Sequence, residues 1–261
     1  MKLKNKVAII TGSSRGIGKA IAVDFAKEGA TVVVAARTET EQEKLPGTIY
    51  GVADEIRALG GVALPVKCNV AEEQSIEEMV GKTLNEFGRI DILVNNAAVG
   101  YYVPFMETPV RHFDLVFRVN LRGPFLCMKA VLPRMVEQKS GSIINITSTA
   151  ATELYSLIVR EGGRRRPSGL IYGATKAALN RLTRGLAIEV AEHNIAVNAL
   201  APGAPTYSEG LAMWNRDVSP SLFRSPHEFM TKAAIFLATQ DSKGITSGVF
   251  LDEELCQKYN L

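Results

Sequence analysis

Short apolar runs rich in β-branched residues alternate along the chain with longer amphipathic segments. Seven of these runs are mostly unbroken by polar residues, which predicts strands buried on both faces, as in a parallel sheet. They are Val7–Thr11, Thr31–Ala36, Ala63–Cys68, Ile92–Val94, Ser142–Thr147, Ile195–Leu200 and Gly248–Leu251. The amphipathic segments predict helices over Gly16–Glu28, Ile49–Leu59, Gln74–Phe87, Arg111–Glu137, Ile171–His193 and Pro226–Ala238.

This alternation predicts an α/β fold, a doubly wound parallel sheet of about seven strands with helices on both faces. Right-handed crossovers bring the loops that follow the strands to one edge of the sheet, where ligands bind. The 261 residues contain neither a linker nor an internal repeat. We therefore expect a single domain over residues 1–261.

Two segments have no regular pattern, and irregular connections of this length are often functional. The first, residues 149–170, contains the triplet Arg164–Arg166. Either it is a solvated surface insertion, or its arginines lie near a pocket and attract an anionic substrate. The second, residues 203–225, is expected to be a substrate loop. Its apolar side chains either cover a hydrophobic substrate or form a small satellite core: Leu211, Met213, Trp214 and Phe223.

The composition excludes several classes of protein. Hydrophobic residues make up 46%, charged residues 22%, and the net charge is only +3, which predicts a globular protein without a nucleic-acid partner. The three cysteines are far apart and no His/Cys cluster has metal-ligand spacing, so we expect no metal and reduced thiols. The sequence shows no signal peptide and no membrane-spanning run. A cytoplasmic location without a membrane partner is therefore expected.

The segment TGSSRGIG connects the first predicted strand to the first predicted helix. Gly12 permits a tight turn, Gly16 lets a pyrophosphate approach the backbone, and Gly18 lets the helix pack closely on the sheet. The N-terminus of the helix offers free N–H groups to the phosphates. The cofactor-binding residues predicted in this loop are Gly12, Ser14, Arg15, Gly16, Ile17 and Gly18.

The end of the second strand indicates which dinucleotide binds. An NAD site normally has Asp or Glu there, to accept hydrogen bonds from the ribose hydroxyls. Here the strand ends with Ala36 and is followed by Arg37. Arg37, together with Arg15, is able to hold a 2′-phosphate through charge-assisted hydrogen bonds, unless both are solvated loop charges. We therefore predict NADP(H) rather than NAD(H).

Tyr172 and Lys176 lie four residues apart in a helical pattern and share one face. A nearby ammonium favours the phenolate, so we expect Lys176, together with a nearby oxidised nicotinamide, to lower the pKa of Tyr172 by about 3 units. Tyr155 has no such lysine. Ser148 follows a buried strand and either orients a carbonyl oxygen or caps a turn. Asn120 lies inside a helical pattern, where its amide holds a water, bends the helix or is simply exposed.

In chain order, the motifs TGSSRGIG, NNAA (95–98), Asn120, Ser148, YGATK and APG (201–203) resemble those of the classical short-chain dehydrogenase/reductase family. The resemblance covers essentially the whole chain and implies a Rossmann fold. The segments KLPGTIY and FLDEEL are also similar to the branch that contains hydroxysteroid-dehydrogenase-like proteins. Four departures stand out: Asn69 in place of Asp, Ala98 in place of Gly, LDEE in place of VDGG, and a long gap before Tyr172.

The resemblance implies a role for each matching residue. Tyr172 is the general acid/base, Lys176 lowers its pKa and holds the nicotinamide ribose, Ser148 orients the substrate, and Asn120 supports a water in the proton relay. The remaining cofactor contacts that it implies are Asn69, Val70, Asn95, Ala97, Pro202 and Gly203. It also implies a homotetramer or homodimer in which the Arg111–Glu137 and Ile171–His193 helices form one interface, with Cys127 and Met128 in the interface or the core.

These predictions describe an NADP(H)-dependent oxidoreductase that interconverts a carbonyl compound and a secondary alcohol, with a small-molecule substrate. An alternative is a catalytically silent dinucleotide-binding sensor or scaffold protein. The sensor needs only the glycine-rich loop, whereas the chain also has Asn120, Ser148, Tyr172 and Lys176. Neither the substrate nor the physiological direction of the reaction follows from these residues, because many substrates share this fold.

Overall fold

The computed structural model describes residues 1–43, 45–152, 169–209, 221 and 223–261. Their centre is a seven-stranded sheet in the order β3-β2-β1-β4-β5-β6-β7, and every pair of neighbours is parallel. This confirms the doubly wound α/β fold. The strands are β1 Val7–Thr11, β2 Thr31–Ala36, β3 Val62–Lys67, β4 Ile92–Asn95, β5 Gly141–Ile146, β6 Ile195–Ala201 and β7 Val249–Leu251.

Eight α-helices among the described residues cover the sheet. They are α1 Gly16–Lys27, α2 Ile49–Ala58, α3 Glu73–Phe87, α4 Val110–Phe117, α5 Gly123–Gln138, α6 Leu170–Glu189, α7 Met230–Ala238 and α8 Asp252–Tyr259. One hydrophobic cluster contains residues of α1, α2, α7 and α8, and a second contains residues of α3, α5 and α6. Helices therefore cover both faces of the sheet, as the sequence predicted.

The apolar strands explain why both faces are covered. All five residues of β1 and all seven of β6 are buried. Successive side chains of a strand point to opposite faces, so Ile9 packs in one cluster and its neighbour Ile10 in the other. A strand with apolar residues at every position needs a helix layer on each side.

The structure corrects three helix predictions. The segment Arg111–Glu137 is not one helix, because a π-helical turn over Arg118–Arg122 separates α4 from α5. Helix α7 begins at Met230 rather than Pro226. The C-terminal residues form α8, which was not predicted. Its first turn contains three acidic residues, which interact favourably with the partial positive charge of a helix N-terminus.

The strand order reverses between β1 and β4, and this switch point at the carboxyl edge is where open α/β sheets bind ligands. The glycine-rich turn after β1, the segment after β4 and Ser148 after β5 lie along this edge. Within the ranges given above, no helix is both long enough and apolar enough to cross a bilayer. In the same ranges, no three His, Cys, Asp or Glu side chains cluster as a metal site requires.

Candidate active site

The glycine-rich loop between β1 and α1 is held by polar contacts from two sides. Ser13 Oγ donates to Ile10 O at 2.7 Å and accepts the Ala35 N–H at 3.0 Å. On the other side, Asn96 Nδ2 donates to Thr11 O at 2.9 Å and Gly12 O at 3.1 Å. Gly12 has φ +67°, and a Cβ there would lie 2.7 Å from Ala97 Cα. These contacts hold the loop, a backbone cradle, in a fixed conformation.

Two arginines lie beside this loop. Arg15 Nη2 donates to Thr38 Oγ1 at 3.1 Å and to Gly47 O at 2.9 Å. Its Nε is buried and has no hydrogen-bond partner among the described residues. Burial lowers the pKa of Arg15; the charges of Glu209 and Glu41 oppose this, and the nearby charge of Arg37 adds to it. Arg15 and Arg37 thus place two positive charges close together, a geometry that suits a phosphate.

The carboxylates that follow β2 are engaged with other groups. Glu39 pairs with Lys67 at 2.6 Å and accepts the Tyr50 hydroxyl at 3.2 Å. Glu41 Oε2 accepts the Gly47 N–H at 2.9 Å. The end of β2 therefore presents arginine rather than an acidic residue to a ribose.

One carboxylate lies against the loop itself. A Cβ built on Gly16 would lie 3.4 Å from Glu209 Oε2 and 2.8 Å from Ser208 Cβ. This carboxylate oxygen is buried and has no hydrogen-bond partner within the described ranges. An anionic group thus lies next to the N-terminus of α1, where a bound anion is electrostatically favoured.

Tyr172, Lys176 and Ser148 come together where α6 approaches the end of β5. Ser148 Oγ accepts the Ala150 N–H at 3.2 Å and lies close enough to Tyr172 to influence the pKa of its phenol. Lys176 Nζ donates to Ile146 O at 2.8 Å and lies 5.5 Å from the centroid of the Tyr172 ring. A Cβ on Gly173 would lie 2.5 Å from Ala150 O. Glycine at this position lets α6 come this close to the segment after β5.

Burial controls the titration of both groups. It raises the pKa of the Tyr172 phenol well above its ordinary value; Tyr102 adds to that shift, and Ser148 opposes it. Burial also lowers the pKa of Lys176 to about 8. With the protein groups alone, the pKa of Tyr172 is therefore raised rather than lowered, because the low dielectric penalises both charged forms. The lowering expected from Lys176 together with an oxidised nicotinamide stays a prediction. At neutral pH the phenol keeps its proton.

Asn120 lies in the π-helical turn and is fully buried. Its Oδ1 accepts the Val99 N–H at 2.9 Å, and its Nδ2 donates to Val99 O at 2.8 Å and Thr175 Oγ1 at 3.3 Å. The amide thus connects the segment after β4 to α6, the helix that carries Tyr172. A π-helical turn inside an α-helix frequently marks a functional site.

The remaining residues predicted to contact the cofactor lie along the same edge of the sheet, but not all of their side chains point outward. Asn95 Nδ2 donates to Asn145 Oδ1 at 2.8 Å, so its side chain faces the interior of the fold. The Ala97 N–H donates to Thr11 Oγ1 at 3.1 Å and supports the loop. Asn69 forms a turn in which its Oδ1 accepts the Ala71 N–H at 3.2 Å, and buried Val70 contacts Gly123. Pro202 and Gly203 follow β6 directly.

Sequence reasoning missed several residues of the site. The Tyr102 ring lies 6.2 Å from that of Tyr172, at an interplanar angle of 44°. Asn96 and Gly47 hold the glycine-rich loop and Arg15, as described above. The doublet Asn95–Asn96 was itself a usable signal, whereas Tyr102 lies in an irregular segment without one. Several predictions fall on residues outside the described ranges: Tyr155, Arg164–Arg166, Leu211, Met213 and Trp214.

Comparison with known proteins places this geometry in a family. Residues 6–217 match the family model described as short chain dehydrogenase. Over 257 residues the chain is 36% identical to hydroxysteroid dehydrogenase-like protein 2 of Bos taurus, and the match covers 98% of this chain and 59% of that protein. The chain thus spans about three fifths of the length of this curated relative.

Solved structures of similar proteins superpose on this fold over nearly its whole length. A short-chain type dehydrogenase/reductase from Mycobacterium marinum superposes with a TM-score of 0.79 and 30% identity, over 95% of this chain and 94% of that one. A metagenomic short-chain oxidoreductase in complex with NADP has a TM-score of 0.77 and 31% identity, over 96% and 99% of the two chains.

Proposed function

The chain belongs to the short-chain dehydrogenase family, and on that premise we propose that it is an NADP(H)-dependent oxidoreductase that interconverts a carbonyl compound and a secondary alcohol. The observation that carries the proposal is the group formed by Tyr172, Ser148 and Lys176. A protonated phenol lies close to a serine hydroxyl and a buried ammonium, at the edge of the sheet that also holds the glycine-rich cradle.

The residues of the cradle fit a nicotinamide dinucleotide that carries a 2′-phosphate. Gly12 and Gly16 both have positive φ, and neither has a side chain of its own between its backbone and an approaching phosphate. The buried Nε of Arg15 lacks a partner among the described residues, and Arg37 is exposed next to it. The metagenomic relative in complex with NADP also favours this choice over NAD. When bound, the dinucleotide supplies a hydride to the carbonyl carbon or accepts one from the alcohol carbon.

The chain itself supplies the proton. In reduction, Ser148 holds the carbonyl oxygen, and Tyr172 donates its phenolic proton to that oxygen as the C–H bond forms. The product is the alcohol, and the phenolate left on Tyr172 regains a proton from solvent. Lys176 stabilises this phenolate while its amine is protonated, that is, below its pKa of about 8. Oxidation of the alcohol uses the same atoms in reverse.

We assign Asn120 a positioning role, because both ends of its amide contact Val99 and Thr175 rather than Tyr172. The water of the proton relay, which the family resemblance gives to this residue, remains part of the proposal. Asn69, Val70 and Ala97 are proposed to line the adenosine side of the cofactor. Asn95 contributes there through its backbone, because its side chain faces inward.

We also propose that the chain forms a homotetramer or homodimer through α5 and α6. A groove of about 1030 Å³ lies between α4, α5 and α6. It is lined mainly by apolar side chains, among them Phe117, Leu121, Phe125, Leu182 and Leu186. Cys127 and Met128 are buried beneath this face and belong to the core. An exposed apolar patch of this kind marks an interaction surface.

No specific observation favours the alternative of a catalytically silent sensor or scaffold. A sensor has no use for a buried lysine, whose desolvation destabilises the fold. The cytoplasmic location expected from the composition remains a prediction. The three cysteines are free and buried.

A direct absorbance assay tests the proposed reaction. NADPH oxidation is measured with a panel of ketones, acidic members included, and NADP⁺ reduction with the matching alcohols. We expect turnover with at least one pair and a lower Kd for NADPH than for NADH. Turnover that is faster with NADH, together with tighter NADH binding, would contradict the assignment of Arg37.

A further inference from the structure

The two ends of the segment between β6 and α7 are tied together. Thr206 and Arg224 form a parallel β-bridge: the Tyr207 N–H donates to Arg224 O at 2.8 Å, and the Arg224 N–H donates to Pro205 O at 2.9 Å. The rings of Tyr207 and Phe223 lie 6.4 Å apart, edge to face. The described residues at the two ends of this segment therefore pair with each other.

The paired ends are fastened to the N-terminus of α8 by ion pairs. Arg224 Nη1 contacts Glu253 Oε2 at 2.8 Å, and Arg224 Nη2 contacts Asp252 Oδ1 at 3.2 Å. The same Asp252 oxygen accepts the Gly203 N–H at 2.7 Å and the Glu253 N–H at 2.8 Å. One buried carboxylate thus joins three parts of the chain.

These contacts lie at the same edge of the sheet as the reacting groups, one strand away from Ser148. Gly203 follows β6, and β6 pairs with β5, the strand that Ser148 follows. The Thr147 N–H donates to Leu200 O at 2.8 Å, so the ends of the two strands are in register. A shift of α8 or Arg224 can therefore reach Pro202–Gly203 through the hydrogen bond from Gly203 to Asp252, which lies next to the pairing of Ala201 with Leu251.

We propose that Arg224, Asp252 and Glu253 form an ionic clasp that positions Pro202–Gly203, and through them the nicotinamide end of the cofactor, relative to Tyr172. The clasp rests on the proposed function. Its members are positioning residues, since they act through the backbone of Gly203. The clasp gives a role to the first of the two glutamates that replace the glycines of VDGG in LDEE. Glu253 supplies the second carboxylate, so that the Arg224 guanidinium bridges two anions.

The two carboxylates differ in importance because they differ in burial. Asp252 is 1% exposed, whereas the side chain of Glu253 is 44% exposed and its ion pair is screened by water. Loss of the Asp252 charge leaves a largely buried guanidinium without its buried counter-charge. Lysine at position 224 keeps the charge but is a point charge that lacks the planar fork of arginine. We expect Asp252 to matter most and Glu253 least.

The test measures the Kd for NADPH by fluorescence, together with kcat and KM for a ketone and the melting temperature. The variants are Asp252→Asn, Arg224→Met, Arg224→Lys and Glu253→Gln, with Glu254→Gln as the matched control on the exposed face of α8. Asn at position 252 keeps an oxygen for the Gly203 N–H and removes only the charge. Because small misplacements of reacting groups slow chemistry severely, we expect Asp252→Asn and Arg224→Met to lower kcat about tenfold or more.

The supporting pattern has three parts. The Kd for NADPH rises with the loss of kcat, Arg224→Lys recovers part of both, and Glu254→Gln resembles the wild type. A lower melting temperature with unchanged Kd, kcat and KM in Asp252→Asn and Arg224→Met would overturn the clasp and leave these residues a purely structural role.

The outcome for the clasp is separable from that for the proposed reaction. A wild-type protein that binds NADPH but reduces no ketone contradicts the reaction, and the Kd series then decides the clasp alone. Active wild-type protein with equally active variants contradicts the clasp alone.

Discussion

The buried positive charge of Lys176 lowers the stability of the fold, and the stability of the Lys176→Met variant should show by how much. The side chain is 2% exposed, and burial lowers its pKa from 10.5 to about 8. One pKa unit corresponds to about 1.4 kcal/mol, so the folded state pays roughly 3 kcal/mol at pH 7 to keep this amine protonated. Methionine removes that penalty but loses the hydrogen bond to Ile146 O, worth about 1 kcal/mol. We expect the variant to be about 2 kcal/mol more stable at pH 7.

The pH dependence gives the sharper signature. Between pH 8 and 10.5 the unfolded chain still binds the lysine proton while the folded protein has lost it, so this residue makes wild-type stability rise with pH. The advantage of Lys176→Met should therefore shrink by about 2 kcal/mol between pH 7 and pH 9.5. Urea unfolding without added dinucleotide, at fixed protein concentration, measures it. The exposed Lys82→Met serves as the control and should show no such trend. A stability difference that stays constant across this pH range would refute the reasoning.

Three further predictions concern the cofactor and the assembly. Arg37→Ala should raise the Kd for NADPH roughly 10- to 100-fold, because it removes a charge-assisted hydrogen bond to the 2′-phosphate. The Kd for NADH should stay nearly unchanged, and an equal increase in both Kd values would contradict the prediction. Glu209→Gln should lower the Kd for NADPH about fivefold, since it removes roughly 1 kcal/mol of repulsion between this carboxylate and phosphates at the glycine-rich loop. Weaker NADPH binding in this variant, or the same gain in affinity in the exposed control Glu192→Gln, would contradict the prediction. Phe125→Glu should reduce the mass in solution, measured by light scattering, because the side chain is 47% exposed in the apolar groove. Phe105→Glu, which lies outside that groove, should leave the mass unchanged, and a wild-type monomer would contradict the interface.

The strands were predictable because both faces of the sheet are covered. Each strand is a mostly unbroken apolar run, and the predicted limits agree with the observed ones to within one residue. The alternation with amphipathic segments then determines the layers, since parallel strands require crossover helices. No long-range information was needed for this part of the fold.

The helix errors have long-range or weak local causes. The π-helical turn over Arg118–Arg122 accompanies hydrogen bonds from Asn120 to Val99, 21 residues earlier in the chain. Local periodicity contains no such information. Helix α8 is mostly polar. Few of its side chains are apolar groups buried in the core; Leu255 and Cys256 are two of them. Its apolar periodicity is therefore too weak to predict a helix, although its acidic first turn was a usable signal.

In the active site, too, local features were predictable from the sequence and long-range features were not. The spacing of Tyr172 and Lys176 and the strand-end position of Ser148 were readable from the sequence, because helix periodicity and strand ends are local properties. The direction of the tyrosine's pKa shift was not, since it depends on how deeply α6 buries both side chains. Tyr102 and Glu209 come from segments without a readable pattern in the sequence, and only the three-dimensional structure brings them to the site.

Comparison of cofactor binding with ketone reduction in Tyr172→Phe tests the central claim most directly. The change removes only the hydroxyl that donates the proton, so the Kd for NADPH should stay within about twofold of the wild type. The rate of NADPH oxidation with the best ketone should fall by roughly 10²- to 10⁴-fold, the usual contribution of a general acid. Reduction at the wild-type rate in this variant would contradict the assignment of Tyr172 as the proton donor.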